Sequence, residues 1–107
     1  MEDSARIGQL LQLLESEPED IFLNYALALE YAREAGRQTE AEKQLLYVLR
    51  LDNAYIPAYY QLGQLYASLQ RTGEALAHYQ TGLEKAREQK NNKAINEFGE
   101  AIFLLED

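Results

Sequence analysis

Reactive side chains are sparse in this chain. One histidine, His78, and no cysteine leave carboxylates as the main candidates for acid–base or metal chemistry. His78 stands beside Tyr79 with no second histidine and no thiolate to share a metal, which reads as a packing or solvated imidazole rather than a ligand or general base. The acidic pairs Glu15 with Glu17 and Glu40 with Glu42 are two residues apart, a spacing that points side chains away from each other on a helix. They cannot work together on one bond, so they are read as solvating charges. No GxxxxGK[ST] phosphate loop, GxGxxG turn or GxSxG elbow occurs. The expectation is a protein that is not an enzyme and takes no cofactor or metal.

Charge narrows the partners. The formal net charge is −8, and residues 1–34 hold eight acids against Arg6 and Arg33. A nucleic-acid binder needs a cationic stripe to replace counterions, and none is visible, so DNA, RNA and anionic membranes are set aside. No apolar run approaches the roughly 18–20 residues of a membrane helix, and the MEDSARIG start has no positive n-region of a signal peptide. The expectation is a soluble, cytoplasmic protein, which the absence of cysteine fits.

The elements that would position any site are helical. At 107 residues the chain is sized for one domain, 1–107, and with 47% apolar and 26% charged residues it has the composition of a folding chain. Ala, Leu, Glu and Gln dominate while Val and Thr are scarce, which is helix-forming usage. Apolar residues recur at helical spacing in six segments, broken at SEPED, AGRQT, DNAYIP, QRTG and EQKNN. Asp20 is positioned to cap the second helix, Thr39 with Glu42 to form a capping box on the third, Thr72 to cap the fifth, and Asn91 or Asn92 the sixth. Pro57 suits the first turn of the fourth, and Gly36 the left-handed turn that ends the second.

Internal repetition then reorganises the picture. Sliding the chain by 34 residues lays Tyr25 on Tyr59, Arg37 on Arg71, Glu40 on Glu74, Ala41 on Ala75 and Leu49 on Leu83 without a gap. Tyr59-x2-Leu62-Gly63-x2-Tyr66, followed by Ala75-x3-Tyr79, resembles the signature of the tetratricopeptide repeat, a helix-turn-helix unit of that period. The resemblance implies an all-α, right-handed superhelical stack of antiparallel helix pairs with about six helices. It divides the chain into an N-terminal helix 4–17, repeat one 22–55, repeat two 56–89 and a capping helix 91–105. Repeat one departs from the pattern, because Ala28-Leu29 stands where repeat two has Leu62-Gly63, and Ala32 replaces the second tyrosine. Gly63, which costs about 1 kcal/mol in a helix, is expected to face Ala75 so that the two helices approach closely, with Tyr59, Leu62, Tyr66 and Tyr79 around the contact. In the N-terminal helix Leu10, Leu13 and Leu14 are expected to face inward.

The same resemblance implies function. Members of the family bind a peptide or helix of another protein in a concave groove lined by the first helix of each repeat. Carried over position by position, the groove holds Leu23, Ala26, Glu30, Arg33 and Glu34 in repeat one, and Pro57, Tyr60, Gln64, Ala67 and Ser68 in repeat two. Tyr60 is the candidate anchor, since tyrosine offers large area with few rotors; its alternative role is packing against a neighbouring helix. Members that grip acidic chaperone tails use cationic groove residues, whereas here only Arg33 is cationic, which argues for a partner of basic or mixed character.

A last feature lies near residue 105. On a wheel centred on Ile95, Phe98 and Ile102, Phe103 and Leu104 project more than about 100° away. Either the helix frays or folds back there, or these two side chains form a self-association surface, the second functional reading being a self-assembling homodimer joined through its terminal helices.

Overall fold

Six helices account for nearly all of the computed structural model, which describes the backbone of residues 2–106 and the side chains of residues 5–106. They are α1 (Glu2–Ser16), α2 (Ile21–Arg33), α3 (Gln38–Leu51), α4 (Ile56–Ser68), α5 (Thr72–Glu88) and α6 (Asn92–Glu106), with no strand among the described residues.

Local chemistry sets the helix ends. Asp20 caps α2 by accepting from the Leu23 amide at 2.8 Å, and Asn91 caps α6 by accepting from the Ala94 amide at 3.1 Å. Pro57 sits in the first turn of α4, where its missing N–H removes no helical bond. The threonine caps do not form. Helix α3 starts a residue before Thr39, and Thr72 is already the first residue of α5. At both places an arginine closes the turn instead. The amides of Ala41 and Ala75 donate to the carbonyls of Arg37 and Arg71, both at 3.0 Å. The Arg71 guanidinium makes a two-pronged pair with Glu74 at 2.6 and 2.7 Å, and Arg37 lies 3.3 Å from Glu40 and 3.5 Å from Glu34. These pairs place carboxylates in the first helical turn, where the exposed backbone N–H groups favour them.

Helices α4 and α5 end in the same motif. The Arg71 amide reaches the Tyr66 carbonyl at 2.8 Å and the Gln70 amide reaches Ala67 at 3.1 Å, with Asn91 to Ala86 and Lys90 to Arg87 repeating the pattern at 2.9 and 3.1 Å. That geometry requires a left-handed residue. Gln70 and Lys90 take it at φ 62° and 56°, whereas Gly36, one period before Gln70, holds φ 85° with no Cβ to strain.

The helices sort into two compact units, Met1–Asn53 with α1 to α3 and Ala54–Asp107 with α4 to α6. This grouping attaches the N-terminal helix to repeat one and the last helix to repeat two. In the first unit α2 contacts both α1 and α3. Ile7, Leu10 and Leu27 form a core against which Leu14, Leu23, Ala26 and Tyr31 pack, and α3 buries Ala41, Leu45 and Val48. Leu13 is 54% exposed rather than inward, because one residue turns the helix by about 100° and carries it off the face that Leu14 shares with Leu10. The buried Asn24 ties the entry loop to both helices: its amide donates to the carbonyls of Pro18 at 3.0 Å and Asp20 at 2.8 Å, while its oxygen accepts from Gln44 Nε2 at 2.6 Å.

In the second unit α4, α5 and α6 contact one another, and the short turns between them make successive helices antiparallel. Gly63 is buried in the middle of α4, and what lies nearest to its open side is the ring of Tyr79. A Cβ built there would collide with the Tyr79 ring, whose Cζ would lie at 2.7 Å. Gly82 on α5 repeats the arrangement against the Phe98 ring of α6, with Tyr59 Cβ at 2.9 Å on the other side. Both glycine–ring pairs are sixteen residues apart, and the second pair follows the first by nineteen.

Gly63→Ala and Gly82→Ala should each destabilise the fold by about 1–3 kcal/mol through overpacking, although alanine is the better helix former by about 1 kcal/mol. Urea denaturation checks this, and a raised midpoint would show that the rings can move aside. Gln70→Gly should act in the opposite direction, raising stability by about 0.5–1 kcal/mol through relief of its left-handed backbone, less the entropy that glycine adds to the unfolded chain.

Candidate functional site

Three aromatic rings, one from each helix of the second unit, set the geometry. Tyr60 of α4 lies 5.7 Å from Tyr79 of α5 and 5.6 Å from Phe98 of α6, and Tyr79 lies 6.3 Å from Phe98, centroid to centroid. The two contacts with Phe98 are edge-to-face, near 63°, the arrangement that the ring quadrupoles favour. Phe98 and Tyr79 are buried, while Tyr60 is half-buried and reaches the surface.

Above these rings opens a depression of about 270 Å³. Tyr60 and Gln64 of α4 and Tyr79 of α5 line one side, and Glu100, Ala101, Leu104 and Leu105 of α6 line the other. Counted around α6 from Phe98 at about 100° per residue, Leu105, Ala101, Leu104 and Glu100 follow in that order on a single side. Phe103 falls on the opposite side. Both are open to solvent, Phe103 at 68% and Leu104 at 65%, but Leu104 alone belongs to the depression.

The remaining residues picked out in the sequence are placed as follows. In repeat two Gln64 and Ser68 are exposed, Ala67 is half-buried, and the Ser68 hydroxyl donates to the Leu65 carbonyl at 2.7 Å. In repeat one Leu23 and Ala26 pack against the Ile7, Leu10 and Leu27 core. Glu30 is buried and faces Arg6 at 3.0 Å and Arg33 at 3.7 Å, both arginines being largely exposed. Those three side chains are thus engaged within their own unit. The His78 ring lies tilted at 5.1 Å from the Tyr66 ring, and its Nδ1 donates to the Glu74 carbonyl at 2.8 Å. Among the described residues no group of three His, Cys, Asp or Glu side chains could hold a metal ion, and no helix is long and apolar enough to cross a membrane.

Comparison with solved structures decides the family. The solution structure of a tetratricopeptide repeat domain protein from Salinibacter ruber is 36% identical to this chain, covers 84% of it and 90% of its own length, and superposes with a TM-score of 0.78. The chain belongs to the tetratricopeptide repeat family. A crystal structure of a tetratricopeptide repeat domain protein from the same organism is similar at 34% identity, 81% and 97% coverage and a TM-score of 0.74. The first tetratricopeptide repeat domain of Spaghetti (RPAP3), bound to the HSP90 peptide SRMEEVD, shares the fold at 24% identity, with coverage of 99% and 82% and a TM-score of 0.76. No family model and no curated protein matches the chain. As in these neighbours, the fold class is an all-α helical repeat.

Within this repeat protein the depression joins two residues visible in the sequence, Tyr60 and Gln64, to five that were not assigned to a groove. Tyr79 belongs to the core, and its side chain also lines the depression. The α6 residues could have been found by counting around the helix from Phe98. Burial raises the Tyr79 hydroxyl above the ordinary tyrosine range, and the nearby Tyr60 adds to the shift. The unfolded chain therefore ionises this group first as pH rises, so the stability associated with the neutral phenol is present below about pH 10 and lost above it. Urea midpoints measured from pH 8 to 11 should fall at the alkaline end, and Tyr79→Phe should make that fall shallower.

Proposed function

We propose that this chain is a non-catalytic protein-interaction module that holds a peptide or helix of a partner protein on the first-helix face of its repeats, with Tyr60 and Gln64 as the principal contacts. The observation that carries this reading is the depression beside Tyr60. A half-buried tyrosine is fixed there by two other rings, with exposed polar and apolar side chains at the rim, and a rigid amphipathic anchor of this kind loses little entropy on binding. In repeat one the corresponding positions are Leu23, Ala26, Glu30 and Arg33, of which Arg33 has most of its side chain open to solvent while Glu30 is buried.

The neighbour bound to the peptide SRMEEVD supports peptide binding as a use of this fold. Its acidic ligand does not carry over. On the first helices of the repeats, α2 and α4, Arg33 is the one cation and it faces Glu30, and the chain bears a net charge of −8, so paired carboxylates would meet no cationic clamp there.

Exposed Phe103 and Leu104 favour a second reading, self-association as a homodimer through the terminal helices. Sedimentation velocity separates the two, since a monomer across the micromolar range removes the dimer.

The first reading is tested by affinity capture from native lysate with the wild-type chain, Tyr60→Ala and Gln64→Trp. Gln64 is exposed, so a tryptophan there should fill the depression and abolish capture with a melting temperature within about 3 °C of wild type. Tyr60→Ala should weaken capture too, at a greater cost in stability because it removes two ring contacts. Partners retained equally by all three proteins would place the binding surface elsewhere.

A further inference from the structure

The lining of the depression selects the chemistry of what enters it. Helix α4 carries no charged residue, and α6 carries Glu97, Glu100 and Glu106 against a single cation, Lys93, in its first turn. Of the lining side chains, Glu100 alone is charged at neutral pH. It is exposed, and it stands across the opening from the half-buried Tyr60 and from Tyr79. In the same unit the Arg71 guanidinium is committed to Glu74 and lies 4.6 Å from the centre of the Tyr66 ring.

An anionic group entering here would meet a like charge, and the lining holds no cation to offset it. A purely apolar group would desolvate the Glu100 carboxylate without giving it a partner. A guanidinium or ammonium meets neither penalty: the carboxylate attracts it, and its aliphatic stem can lie along the tyrosine and leucine side chains of the lining. The net charge of −8 adds a long-range field that draws cationic segments in.

We infer that the depression takes a lysine or arginine side chain of the partner protein, its charge on Glu100, its stem between Tyr60 and Leu104, and an apolar neighbour in the partner sequence covering the exposed leucine. This deepens the interaction-module reading and rests on it.

The test uses random twelve-residue peptides displayed on phage and selected on the intact chain. Retained peptides should share a lysine or arginine beside an aliphatic or aromatic residue, and a synthetic copy of the most frequent one should bind and be released by salt. Glu100→Lys should weaken that peptide by about tenfold or more, Glu100→Gln by about threefold, and Glu88→Lys, the same charge change outside the depression, by less than about threefold. Circular dichroism confirms that each variant is folded. Peptides that lose binding on Gln64→Trp but contain no cation, or that respond equally to Glu88→Lys and Glu100→Lys, overturn the inference and leave the interaction module standing. Absence of any retained peptide that Gln64→Trp blocks overturns both. A concentration-dependent dimer abolished by Glu100→Lys would seat a second copy in the depression, which also overturns it.

Discussion

The second unit depends on two places where a helix offers no side chain and the next helix fills the space with a ring. Tyr79 lies over Gly63, and Phe98 lies over Gly82. Each glycine weakens its own helix by about 1 kcal/mol, and each is outweighed by the burial of a large aromatic side chain at roughly 1.5–3 kcal/mol together with ring–ring contacts. Neither exchange succeeds alone. Tyr79 can descend onto Gly63 only because Tyr60 and Phe98 close around it, and Phe98 can descend onto Gly82 only because Tyr59 bounds the far side. The helices are held at a fixed separation by interlocking shape, which is how close-packed interiors specify one arrangement over others.

The first unit solves the same packing problem with different volumes. At the positions one period before Gly63 and Tyr79 it has Leu29 and Leu45, two medium side chains in place of none and one large. Leu45 is fully buried, as Tyr79 nearly is, while Leu29 is half-buried where Gly63 is buried, so the space is divided differently between the helices. What does persist between repeats is the turn. Arg37 with Glu40 and Arg71 with Glu74 stand at the same places and close the same first helical turn, and Gly36 and Gln70 hold the same left-handed position before them. These turn residues explain why Arg37, Glu40 and Ala41 recur at 34 residues when most of the core does not.

Legibility in the sequence followed the range of the interaction. The six helices, the caps at Asp20 and Asn91, and the turn at Gly36 depend on neighbours within a few residues, and each could be read from them. The Thr-x-x-Glu pattern at Thr39 and the lone threonine at Thr72 both ignore the nearby arginine, whose pair with a glutamate stands at the start of the helix. The close approach at Gly63 is legible from a glycine in the middle of a helix with tyrosines around it, and Tyr79 is the ring that fills the space. Gly82 and the α6 wall of the depression went unread because they belong to a spacing of nineteen between successive helices rather than to the 34-residue repeat.

Tyr79, one of the two rings that pack against a glycine, also lines the depression beside Tyr60, which bears on the binding proposed there. A surface built on loops must be ordered when a ligand arrives, at an entropic cost charged against affinity. Here Tyr79 and Phe98 are immobilised by folding itself, and Tyr60 is fixed against both before any partner is present. The variable part is confined to the rim, where Gln64, Glu100 and Leu104 are exposed and make few demands on the core. Substitutions at the rim can therefore retune charge and shape at little cost in stability, while substitutions among the rings cannot. The division of labour follows from burial alone.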